Sequence, residues 1–126
     1  MMDNNYNVIM KWFENLLDKK QWSDYLAGYG YKKIAIYGAG ELGKNLNREL
    51  NGTEVSVVCF IDKNAERIGH ILDKKVYTLD RFFEEKIECD AIVVSVLSAD
   101  RSVMLDVLKI DPVMPVLSLR DMIYEM

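Results

Sequence analysis

At 126 residues the chain has the length of one domain, half its residues are hydrophobic, and its formal net charge is −4. Scattered lysines and a modest negative charge exclude the concentrated basic surface that grips a nucleic-acid backbone. No apolar run approaches the ~20 residues of a membrane span, and Met1-Met2-Asp3-Asn4-Asn5 has neither the basic start nor the apolar stretch of a signal peptide, so the sequence reads as cytoplasmic.

The first expected element is a helix over 6–20. Tyr6, Ile9, Met10, Phe13, Leu16 and Leu17 recur at the spacing of one helical face, widened by Val8 and Trp12. Such a stripe has two destinations. One is burial within the chain as an extra helical layer, the preferred reading because amphipathic helices ordinarily bury their stripe there. The other is a subunit interface, and with it a homodimer. Trp22, Tyr25 and Leu26 continue the pattern after a cap at Ser23 or Asp24, and Gly28 and Gly30 end it. Residues 1–31 are thus read as an N-terminal helical extension and 32–126 as the main domain.

The period then changes. Ile34-Ala35-Ile36-Tyr37 reads as a short strand, Gly38-Ala39-Gly40 as a turn, and 41–50 as a helix with Leu42, Leu46 and Leu50 on one face. Residues 55–61 form a nearly continuous apolar run, as in a strand buried on both faces. One helical turn is expected over 65–68 and a short third strand at Val76-Tyr77. A helix over 79–86 is begun by Thr78 or Asp80. A buried strand over 91–96 leads to a helix over 101–110 capped by Ser98 or Asp100. A last strand over 116–119 precedes a terminal helical turn or two. Strands alternating with helices imply right-handed crossovers and a parallel sheet covered on both faces. The expectation is an α/β, Rossmann-like sheet of about five strands in the order 3-2-1-4-5.

The main chemical signal is Gly38-x-Gly40-x-x-Gly43, placed directly after a strand and opening a helix. Gly38 permits the tight turn, Gly40 lets a pyrophosphate approach the backbone, and Gly43 lets the helix pack close to the sheet. The amides from Ala39 through Glu41 and Leu42 then face an anion. Asp62 ends the next strand, where an acid binds ribose hydroxyls and favours NAD over NADP. Glu41 argues the other way: its carboxylate at the positive helix end repels a phosphate. A vestigial site, kept for packing alone, is the competing reading.

These residues carry a resemblance. The segments KKIAIYGAGELGKNL, FIDKN, VYTLDRF and DAIVVSV resemble the Rossmann-like domains of bacterial cell-surface polysaccharide and nucleotide-sugar biosynthesis proteins. They are also similar to the NAD-binding domain of redox-sensing repressors and to CoA-binding domains. The resemblance implies a nucleotide pocket bordered by Ser95 at the end of the fourth strand. It also implies NAD as cofactor, CoA or a nucleotide sugar as alternatives, and a sugar-biosynthetic setting. Such domains carry a glycine and a proline before the Val-Tyr pair, where this chain has Asp73-Lys74-Lys75, so the loop near the third strand is altered.

No catalytic constellation emerges. Tyr29 and Lys33 have a Tyr-x-x-x-Lys spacing but precede the first strand. His70 is the only histidine and is read as a surface loop residue; Cys59 and Cys89 match no metal or redox spacing and read as inert free thiols. Glu84-Glu85 are read as solvated charges, and Asp100 as a helix cap rather than a pocket residue. The expected function is a nucleotide-binding module with no catalytic centre of its own. The alternative is a small oxidoreductase or nucleotide-sugar-modifying subunit completed by a partner catalytic domain.

Overall fold

Runs such as Val57 to Ile61 and Ala91 to Val94 are apolar on successive residues, so neither face of the strand they form can stay in water. In the computed structural model, which describes residues 4–126, both runs lie inside one sheet. Met1, Met2 and Asp3, read above for the features of a signal peptide, lie outside the described residues. The strands are β1 (Lys33–Tyr37), β2 (Ser56–Ile61), β3 (His70–Ile71), β4 (Lys74–Tyr77), β5 (Ala91–Val94) and β6 (Val116–Ser118). The helices are α1 (Asn4–Leu17), α2 (Trp22–Gly28), α3 (Glu41–Leu50), α4 (Ala65–Ile68), α5 (Leu79–Glu84), α6 (Asp100–Ile110) and α7 (Leu119–Glu125).

The sheet order is β3-β4-β2-β1-β5-β6. All neighbours pair in parallel except β3 with β4. Tyr37 pairs with Ile61 on one side and Val94 on the other, Ile61 with Tyr77, and Val94 with Ser118, so five strands finish level at one edge. One face buries Trp22, Ile34, Ile36, Leu46, Phe60 and Leu119. The other buries Ala35, Cys59, Ile61, Phe82, Ile92 and Val107. At the opposite edge Asp90 Oδ2 accepts the N–H groups of Lys32 and Lys33 at 2.8 and 2.9 Å, tying the start of β1 to the start of β5. Those two bonds hold the Asp90 carboxyl below its ordinary range.

The sheet departs from the five-strand arrangement expected, because a sixth strand extends it. β3 folds back on β4 through Leu72 and Asp73, with φ 48° and 60°, between the paired residues Ile71 and Lys74. A two-residue hairpin loop demands left-handed backbone at both positions, and the sequence offers no Asn-Gly or Asp-Gly to announce it. His70, expected in a loop, begins this strand, exposed as foreseen. Two expected caps also fail. α2 starts at Trp22 after Gln21, with Ser23 and Asp24 already inside its first turn. α6 follows Ala99 with no side-chain cap. Asp100 is 2 % exposed and instead accepts Ser118 Oγ–H at 2.6 Å and an Arg120 N–H at 2.9 Å, fastening α6 to β6 and α7. Thr78 does cap α5, accepting from Arg81 N–H.

The largest correction concerns α1. The helix forms, but the stripe of Tyr6, Ile9, Met10, Phe13, Leu16 and Leu17 is exposed. The domain buries a neighbouring arc, Val8, Trp12 and Asn15. Asn15 Nδ2 donates to Ile123 O at 3.0 Å, joining α1 to α7. Glu49 of α3 joins α1 and α2: its carboxylate accepts Trp12 Nε1–H at 2.7 Å and Trp22 N–H at 2.8 Å. Two polar anchors thus choose the face that the apolar period leaves undecided.

The relative costs of three truncations test this anchoring in dilute protein. Glu49→Ala removes two charge-assisted bonds and should lower the unfolding free energy by about 2–3 kcal/mol. Trp12→Ala should cost about 3–5 kcal/mol. Phe13→Ala, at a side chain 53 % exposed, should cost less than about 1 kcal/mol. Urea denaturation of the three variants measures the order; a Phe13 cost matching that of Trp12 would contradict the placement of α1.

Candidate functional site

The level carboxyl edge of the sheet brings together the turns after β1, β2, β4 and β5. The turn after β1 is built by close approach. Gly38 has φ +117°, a conformation L side chains rarely adopt, and an added Cβ would run into Ser95 Oγ and lie 2.8 Å from Val96 Cγ2. At Gly43 a Cβ would strike the Gly38 carbonyl and come within 3.0 Å of Ser95 Oγ. Helix α3 therefore lies directly on the turn that precedes it. Ser95 is buried beneath both glycines, and its hydroxyl donates toward Tyr37 O at 3.1 Å and Gly38 O at 3.3 Å.

Gly40 differs from its two neighbours in the motif. It is the N-cap of α3, makes no side-chain cap bond, and an added Cβ would meet nothing within 4 Å. The first-turn amides of a helix have no carbonyl a turn before them. At most N-caps a Ser, Asp or Asn side chain fills that need. Here the end is open above Gly40. Glu41 is exposed in the first turn, and Leu42 is half-buried and packs against the core.

Asp62 follows the last residue of β2, and the structure places it against the turn. Its Oδ2 accepts Ala39 N–H at 3.0 Å and its Oδ1 accepts Asn64 N–H at 2.9 Å. A carboxylate has about four lone-pair sites, so each oxygen keeps acceptor capacity beyond these bonds. Gly38, Ala39, Gly40, Glu41, Leu42, Gly43, Asp62 and Ser95 thus belong to one edge, with Ser95 supporting the turn from below.

Residues 30–112, more than half of the chain, match the family described as C2185-like, N-terminal. The chain belongs to this family. No curated protein matches it. The C2185-like match covers β1 to α6, and so the glycine turn, Asp62 and Ser95, while α1 and α7 lie outside it.

One residue of this C2185-like domain escaped the sequence reading. Tyr37 ends β1 beside the turn, and its hydroxyl is raised above its ordinary range, first by burial and then by the Asp62 and Asp106 carboxylates. Its only sequence signal was its place before Gly38. Tyr29 and Lys33 lie toward the amino end of β1, away from the turn. Burial pushes Cys59 up to about 12 and Cys89 up to about 11, so both stay thiols at neutral pH. Arg101 forms a two-pronged pair with Asp121 at 2.7 and 2.9 Å, and Glu85 pairs with Arg81. Among the described residues no group of three or more His, Cys, Asp or Glu side chains is placed to hold a metal.

Two glycine substitutions separate packing from access. Gly43→Ala forces helix and turn apart and should cost about 2–4 kcal/mol. Gly40→Ser supplies the missing cap and should leave stability unchanged or raise it by about 0.5 kcal/mol. Thermal unfolding of both variants measures the contrast; a large loss at Gly40 would show that the fold itself requires that glycine.

Proposed function

We propose that this chain is a Rossmann-type nucleotide-binding module whose pyrophosphate site is the open end of α3. The observation that carries this reading is Gly40: packing explains Gly38 and Gly43, whereas open space lies where a Gly40 side chain would stand. A ligand backbone approaching the first-turn amides gives the missing side chain a reason. Asp62 supports the same reading, holding the turn through Ala39 while retaining acceptors for ribose hydroxyls. Its negative charge disfavours a 2′-phosphate, so NAD(H) is the first candidate, with CoA or a nucleotide sugar next.

The resemblance of the strand and turn segments to domains of polysaccharide and nucleotide-sugar biosynthesis proteins suggests that setting, in the cytoplasm. No helix of the described residues is long and apolar enough to cross a membrane. In this reading the chain holds the nucleotide and carries no catalytic centre of its own. Catalysis, where it occurs, is assigned to a partner or adjoining domain.

Calorimetric titration of the parent and three variants with NAD, NADH, CoA and UDP-sugars tests the site. Gly40→Val places a branched side chain in the phosphate path and should abolish binding while the domain stays folded. Asp62→Asn keeps an acceptor for Ala39 N–H but loses the charge, and should weaken binding roughly tenfold. Glu41→Gln removes a repulsive charge and should tighten binding, most visibly at low salt. A parent that binds none of these ligands at millimolar concentration would leave the glycine turn a packing device only.

A further inference from the structure

The circumference of α1 is apolar well beyond what the domain covers. At about 100° per residue, Val8, Trp12 and Asn15 occupy the buried arc, and the exposed stripe fills an adjoining arc of about 120° centred on Phe13. Only Lys11 and Glu14 are charged within the helix. Beside the stripe runs a groove of about 510 Å³ between α1 and α3, walled by Ile9, Phe13 and Leu16 on one side and by Leu42, Asn45 and Arg48 on the other.

We propose that this face is the interface between two copies of the chain. Six large apolar side chains at about half exposure present on the order of 500 Å², at the upper end of what a monomer leaves open. A stable interface covers about 800 Å² per partner, and the α3 wall of the groove extends the patch toward that size. The face also carries its own complement. A ridge centred on Phe13 adjoins a groove, and a two-fold axis lays the ridge of each copy along the groove of the other. Asn45 and Arg48 form a polar rim. Charge disfavours the competing occupant, a lipid surface: the chain carries a net −4, and α1 offers one lysine. The inference rests on exposure and shape alone and stands independently of any nucleotide at Gly40.

Sedimentation velocity on the full chain across low to high micromolar concentration reads the result. The parent should sediment as a dimer. Phe13→Glu should raise the dissociation constant about thirtyfold or more, with an unchanged circular dichroism spectrum, because Phe13 is exposed. Leu17→Glu should weaken the dimer in the same way. Leu105→Glu, on the separate exposed apolar face of α6, should leave it intact. A parent that stays monomeric at every concentration overturns the proposal, as does a dimer that survives Phe13→Glu and Leu17→Glu. A monomer that binds anionic vesicles through Phe13 overturns it in favour of a lipid surface.

Discussion

The contact between Gly43 and the Gly38 carbonyl sets the geometry of the whole carboxyl edge. Neither residue leaves room for a Cβ, so α3 must begin directly on the turn that leaves β1. Ser95, directly after β5, locks this contact, donating toward the Tyr37 and Gly38 carbonyls and filling the space beneath both glycines. Asp62 closes it from β2 by taking the Ala39 amide. Three neighbouring strands thus hold one turn from three directions. The amino end of α3 is fixed by these contacts, and of the three glycines in the motif Gly40 is the one that packing does not explain. A rigid, uncapped helix end of this kind needs little reorganisation to receive an anion.

The strands were readable because buried parallel strands are nearly continuous apolar runs, and 56–61 and 91–94 admit little else. The glycine turn was readable because its spacing sat between a strand and a helix. What the sequence concealed lies where local residue preference is overridden. The β3–β4 hairpin turns on Leu72 and Asp73, and leucine is a poor residue for left-handed backbone. Asp100 resembled a helix cap, since Asp before a helix usually is one. Its role came instead from Ser118 and Arg120, about twenty residues further along the chain.

α1 shows the same limit more sharply. A period of 3.6 reveals that a helix has an apolar face, but it does not say what covers that face. In α1 the apolar arc is wide enough to serve two surfaces. Glu49, through Trp12 and Trp22, and Asn15, through Ile123, decide which arc meets the domain. Those partners lie on α2, α3 and α7, so no reading of the helix alone finds them. The candidate site was legible to a greater degree because its residues answer to backbone geometry within one strand–turn–helix unit. Ser95 and Asp62 join that unit by sheet register, which the strand pattern already implied.

The proposed binding of a nucleotide at the open end of α3 is tested most directly at the backbone amides themselves. A ¹⁵N–¹H correlation spectrum of the protein titrated with NAD should show saturable shifts at Ala39, Gly40, Glu41, Leu42, Gly43 and Asp62. The amides of the β3–β4 hairpin should stay in place. Shifts absent at millimolar NAD, CoA and UDP-sugar alike, or gathered at a part of the surface remote from Gly40, would contradict a nucleotide site at this edge.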